Sequence, residues 1–138
     1  MSYDEGTLTQ ELMRDEGVKL KPYRCTAGKL TIGVGRNIED NGITNDEAAY
    51  LLKNDIKNCE RDLDTLLPGW KNLSDTRQRV LLNMVFNMGR ARLAGFAKFL
   101  GCLKMNDFVG AADQMMDSAW AKQVGQRAVR LRDMMLRG

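Results

Sequence analysis

The run from Thr44 to Leu66 constrains the fold more than any other stretch. Thr44-x-x-Glu47 has the form of a capping box, in which the Thr hydroxyl and the Glu carboxylate each accept from the other residue's backbone N–H. Behind it Ala48, Leu51, Leu52, Ile56, Cys59, Leu63 and Leu66 recur at intervals of three and four, and Pro68-Gly69 ends the pattern. The spacing predicts one helix over about 45–66. At 1.5 Å per residue that helix runs about 30–35 Å, longer than a small lobe needs.

The chain before it reads differently. Thr7-x-x-Gln10 can form a capping box, Leu8 and Leu12 follow at helical spacing with Glu16, and Gly17 supplies a C-cap, so a helix is expected over about 8–16. Its C-terminus holds the Glu16 carboxylate where the helix dipole disfavours further negative charge, which permits a raised carboxyl pKa. From 18 to 36 the pattern is extended. Pro22 opposes helix, Ala27-Gly28-Lys29 suggests a turn, and Leu30 to Val34 alternates, giving a small hairpin. Gly33 and Gly35 permit close approach of backbone or ligand. The segment is not a phosphate-binding loop, because it lacks the GKS or GKT ending and the following helix.

After Pro68 the chain is helical. Ser74 caps a run through Val80, Leu81, Met84, Val85 and Met88, closed by Gly89. Phe96, Phe99, Leu100 and Leu103 mark a second helix. Asn106 or Asp107 opens a third, through Ala111, Ala112, Met115 and Met116, and a last one carries Ala128, Leu131, Met134 and Met135. The methionines fall on these stripes and read as core filling rather than as a binding surface.

A chain of 138 residues with 43% apolar content is one domain, of two lobes at most. The N-terminal segment has no basic region leading into an apolar run, so no signal peptide is read there, and no apolar run is long enough to span a bilayer. Cys25, Cys59 and Cys102 have neither metal-ligand nor redox spacing and read as free thiols. Histidine is absent, which excludes Ser-His and Cys-His hydrolysis and leaves carboxylic acids as the source of general acid chemistry. No cofactor or metal site is expected. Residues 1–70 carry nine basic and thirteen acidic groups, against twelve and five in 71–138. The basic C-terminal half suggests a polyanionic partner, either nucleic acid or bacterial wall. Its cations are not interleaved with aromatics, which counts against nucleic acid.

Arg14-Asp15-Glu16-Gly17, Leu20-Lys21-Pro22-Tyr23 and Thr31-Ile32-Gly33-Val34-Gly35 together resemble the catalytic segment of the phage-type, T4-like lysozymes. The resemblance extends through Thr44 to Ala48, Asn83 to Gly89, Ala94-Gly95-Phe96 and Trp120 to Arg127, so it covers nearly the whole chain in order. It implies an α+β, mostly helical fold. A small N-terminal sheet lobe (about 17–43) would be tied by the linking helix to a helical lobe (about 70–138), which the N-terminal helix joins. It also implies cleavage of the β-1,4 bond between N-acetylmuramic acid and N-acetylglucosamine in peptidoglycan. The implied setting is a monomer made in the host cytoplasm that acts on the wall in the periplasm, with a separate holin for export, no stable membrane insertion and no nucleic acid.

Residue by residue, Glu16 aligns with the family's catalytic acid and Thr31 with the threonine that helps position the attacking water. Arg127 aligns with the arginine that holds the acid, and Asn83 and Trp120 with residues packed beside that pair. Arg36 and Asp55 fall on a structural pair. The middle carboxylate of the motif is replaced by Cys25. A thiol there can act as base or as nucleophile once ionised, and Lys19, Lys21, Arg24 and Lys29 are the nearby cations that would lower its pKa. Two other readings follow from the same residues: a lysozyme homologue weakened in catalysis or inactive that still binds wall, and a nucleic-acid-binding module.

Overall fold

The computed structural model describes residues 2–138. Helix α1 spans Glu5–Glu16 and begins one turn earlier than the Thr7 box predicts. Asp4 is the cap: its carboxylate accepts from Thr7 N at 3.0 Å, so the first threonine of the supposed box is itself a capped residue. Gly17 closes the helix at φ 76°, donating to Met13 O at 2.9 Å. Strands β1 (Lys19–Arg24), β2 (Leu30–Gly33) and β3 (Arg36–Asn37) follow in an antiparallel sheet of order β1-β2-β3. β1 lies at the edge, where the missing N–H of Pro22 is tolerated, and the ladder is irregular between Lys19 and Tyr23.

Beyond the hairpin that the sequence predicts, β3 leads into a short helix α2 (Ile38–Asn41). Asn37 supports both. It ends β3, and its side chain caps α2 by accepting from Asp40 N at 3.0 Å. Helix α3 occupies Asn45–Leu66, the bounds the periodicity predicts. The reciprocal box at its start is formed: Thr44 N donates to Glu47 at 2.8 Å and Glu47 N to Thr44 Oγ1 at 3.2 Å.

The chain divides into two compact units, residues 1–50 and 51–138, with the boundary inside α3. In the first, Thr31 is the one buried residue among those described. The second holds the hydrophobic core. After a 3-10 turn at Trp70–Asn72 come α4 (Asp75–Met88), α5 (Arg90–Ala94), α6 (Ala97–Lys104), α7 (Phe108–Met116), α8 (Ala119–Val124) and α9 (Gln126–Arg137). Val80, Leu81, Met84 and Val85 of α4 meet Phe99 and Leu103 of α6, Met115 of α7, Trp120 of α8 and Leu131 and Met135 of α9 in a single cluster. The methionine stripes thus fill core, as their spacing implies. Cys59 and Leu63 supply the part of α3 that reaches this cluster.

Both tryptophans are buried with their N–H satisfied, Trp70 by Asp64 and Trp120 by Asn87, each at 2.8 Å. Ser74 caps α4 through Arg77 N, and Gly89 ends it, as expected. Helices α5 and α8 are too short for apolar periodicity to reveal. The α+β, mostly helical organisation with a small N-terminal sheet is therefore present. Among the described residues no helix is long and apolar enough to cross a membrane.

Candidate active site

The three residues expected to be catalytic lie in the first unit. Glu16 is the last residue of α1 and is exposed. Its side chain rests on the β2–β3 turn, where a Cβ built on Gly35 would stand 3.2 Å from Glu16 Oε2. Gly35 sits at φ 69°, the left-handed value that the second central position of such a turn requires. The helix end and the hairpin are thus in contact through a carboxylate and a bare backbone.

Cys25 follows β1 and opens the turn to β2. Its N–H donates to Lys29 O at 3.0 Å, and its carbonyl accepts from Gly28 N at 2.8 Å. Tyr23 is paired with Thr31 across the β1–β2 ladder, so the two share a face, and Cys25, two residues on from Tyr23, continues it. The Cys25 thiol is partly exposed and held below its ordinary pKa range. The backbone N–H of Lys29 is the main cause and that of Ala27 the next. Desolvation opposes them, and the Thr31 hydroxyl adds to the lowering.

Two of the four cations suggested by the sequence, Arg24 and Lys29, are otherwise engaged. Arg24 donates to Glu39 at 3.3 Å and to Gly28 O at 3.0 Å, while Lys29 lies 3.7 Å from Glu39 and 3.3 Å from Asp40. Glu39 also accepts from Leu30 N at 3.2 Å. Helix α2 therefore fastens the Cys25 turn and neutralises its positive side chains. The turn's backbone, not its lysines, favours the thiolate.

Thr31 is 3% exposed. Its hydroxyl carries one proton, which it donates to Lys29 O at 2.8 Å and can turn to the Cys25 sulfur once that is ionised. Its lone pairs are left to accept.

Arg36, for which the sequence suggests Asp55 as partner, pairs with Glu47 at 2.5 Å and also donates to Gly42 O at 3.4 Å. Glu47 is the capping-box residue at the first turn of α3, two turns closer along the helix to the loop than Asp55. The Arg36 bond is the main cause, and the Thr44 N–H the next, of a Glu47 pKa lowered to about 2. Asp55 has a different effect. Burial pushes the Cys59 thiol up, and the charges of Asp62, Asp55 and Glu60 push it further.

In the second unit Arg127 and Asn83 are brought together. Arg127 donates to Asn83 Oδ1 from Nε at 3.0 Å and from Nη2 at 2.7 Å, which fixes the plane of the guanidinium. Both line a largely apolar cavity of about 470 Å³ with Leu52, Ile56, Leu82 and Phe86. Trp120 gives its indole N–H to Asn87 instead of to this pair. Sequence reasoning does not single out Asn87 or Glu39; each acts through a partner distant in the chain, and no local pattern marks it. Among the described residues no group of three or more His, Cys, Asp or Glu is placed to hold a metal ion.

Glu16, with Cys25 and Thr31 on the neighbouring hairpin, offers a proton donor, an ionisable thiol and a hydroxyl acceptor within one unit. Comparison with known proteins puts this set in context. The phage lysozyme family matches residues 13–134. The pre-baseplate central spike protein Gp5 of Enterobacteria phage T4 is 31% identical over 96% of this chain, which spans only 28% of that protein's length. Probable T4-type lysozyme 2 of Dictyostelium discoideum is 28% identical over 91% of both chains. The endolysin of Acyrthosiphon pisum secondary endosymbiont phage 1 is 32% identical over 84% of this chain and 80% of its own. With nearly all its elements inside the matched span, the chain belongs to the phage lysozyme family.

Proposed function

We propose that this protein is a muramidase, hydrolysing the β-1,4 bond between N-acetylmuramic acid and N-acetylglucosamine in peptidoglycan, with Glu16 as general acid. The observation that carries the reading is the seating of the Glu16 carboxylate on the Gly35 backbone, next to the hairpin that bears Cys25 and Thr31. Acetal cleavage needs a proton delivered to the departing oxygen and electron density supplied at the anomeric carbon. Glu16 is the carboxyl group poised at the turn for the first task. Cys25, ionised with help from the N–H groups of Lys29 and Ala27, suits the second. As a base it takes a proton from water, and the product is inverted. As a nucleophile it forms a sugar–sulfur bond that water then hydrolyses, and the product is retained. Thr31, its proton directed to Lys29 O, accepts a hydrogen bond from the attacking water and fixes its direction. The Arg127–Asn83 pair is assigned the supporting role that the family resemblance gives it. The basic residues of 71–138 favour approach to the anionic wall. In this account the enzyme is made in a host cytoplasm as a monomer and reaches the wall through a separately made membrane lesion.

One observation favours a second reading. A thiol stands where the motif has a carboxylate, which suits a homologue that binds wall and no longer cuts it. Digestion of purified peptidoglycan, followed by reduction and mass spectrometry of the fragments, separates the two. New reducing ends on N-acetylmuramic acid support the muramidase. New ends on N-acetylglucosamine contradict the assigned bond. Wall pelleting with no new ends establishes the binding reading.

A further inference from the structure

Gly33 and Gly35 flank Val34 at the β2–β3 turn, and they share a positive φ, 70° and 69°. Their surroundings differ. A Cβ at Gly33 would meet nothing within 4 Å. A Cβ at Gly35 would stand 3.2 Å from Glu16 Oε2, 3.5 Å from its Cδ and 3.6 Å from its Cγ. The first of these is tighter than ordinary packing allows, so either the carboxylate or the turn would have to give.

We infer that Gly35 is a positioning residue for Glu16: its bare backbone is the shelf that sets where the carboxylate points, and a side chain there displaces the acid. The inference rests on the reading of Glu16 as the proton donor. The physical sequence is short. The turn requires a left-handed residue at 35, glycine meets that need without strain, and the missing Cβ leaves the space the carboxylate occupies. A general acid must come within hydrogen-bond reach of the leaving oxygen; the 3.2 Å contact asks the carboxylate to give by a few tenths of an ångström, and if about 1 Å costs a hundred-fold in rate, a shift of that size costs roughly three- to ten-fold. Gly33 shares the positive φ without the contact, so it serves as the control.

The experiment compares G33A and G35A, each made in the parent and in an E16A background. Stability is read from amide exchange of β2 and activity from fragment release on purified peptidoglycan. Both substitutions place an L side chain in left-handed backbone and should lose comparable protection from that cause. In the parent, G35A should lose more protection than G33A, and the difference should vanish in E16A, which lacks the Oε2, Cδ and Cγ atoms the new methyl would meet. G35A should lower kcat about three- to ten-fold with KM little changed, against less than about two-fold for G33A. If G35A does not fold, G35N replaces it, since asparagine tolerates left-handed backbone while still carrying a Cβ. Equal effects of the two glycine substitutions on exchange and rate in the parent would overturn the inference. Full activity of E16A would instead remove the acid reading, while the exchange comparison would still decide whether the contact exists.

Discussion

Replacing Arg77 by alanine should cost the helical unit about 2.5 kcal/mol. Its Nε donates to Met135 O at 2.8 Å and its Nη2 to Leu136 O at 3.3 Å, two of the carbonyls that α9 leaves open at its C-terminus. Its Cζ lies 3.5 Å from the centroid of the Phe108 ring, so the same group ties α4 to α7 and α9. The partly buried charged bond contributes about 1.5 kcal/mol, the exposed one about 0.5, and the stacking about 0.5–1. R77K keeps a charge at the helix end but loses the planar fork and the stack, so it should cost about half as much. Trp70 and Trp120 both belong to residues 51–138, and tryptophan fluorescence follows that unit's melt. For a unit of roughly 90 residues, about 5 °C per kcal/mol gives a fall of about 12 °C for R77A and about 6 °C for R77K. A fall below about 3 °C for R77A would show that water serves those carbonyls equally well, and the latch would be refuted.

Iodoacetamide with time-resolved peptide mapping should modify Cys25 at least about ten-fold faster than Cys59, since one thiol is partly exposed and lowered in pKa while the other is buried and raised. Equal rates would remove the case for an activated Cys25. The Glu47 carboxyl carbon should titrate by NMR near pH 2 and move towards 4.5 in R36Q. Because the folded pKa is depressed, the stability this carboxylate contributes is present above about pH 4.5 and is lost as the pH falls through about 2. An R36Q midpoint unchanged from the parent would assign the shift to the helix cap alone.

How much of this the sequence could reveal depended on the range of the interaction. The Thr44–Glu47 box and the helix to Leu66 are set by contacts three and four residues apart, and both are legible. The start of α1 is not, because Thr7 and Asp4 are both good caps and the sequence does not rank them. The surroundings of Cys25 were misread for a physical reason. Arg24 and Lys29 look like free cations until α2, a four-residue helix without periodicity, brings Glu39 and Asp40 against them. Arg77 reads as an ordinary helix residue because its partners lie 58 and 59 positions away. At the site itself, the alternation of β2 and the glycines of the turn were visible. That Glu16 rests on Gly35 and not on Gly33 follows only from three-dimensional packing.

The central claim is that Glu16 donates the proton that breaks the glycan strand. Replacing it by glutamine keeps its size and removes the acid, and the exposed side chain should leave the thermal melt unchanged. The deciding measurement is the rate at which E16Q releases N-acetylmuramic acid reducing ends from purified peptidoglycan, relative to the parent. The account predicts a loss of at least about a hundred-fold at neutral pH with an unaltered melt. A folded E16Q protein that cuts within a few-fold of the parent rate would contradict it.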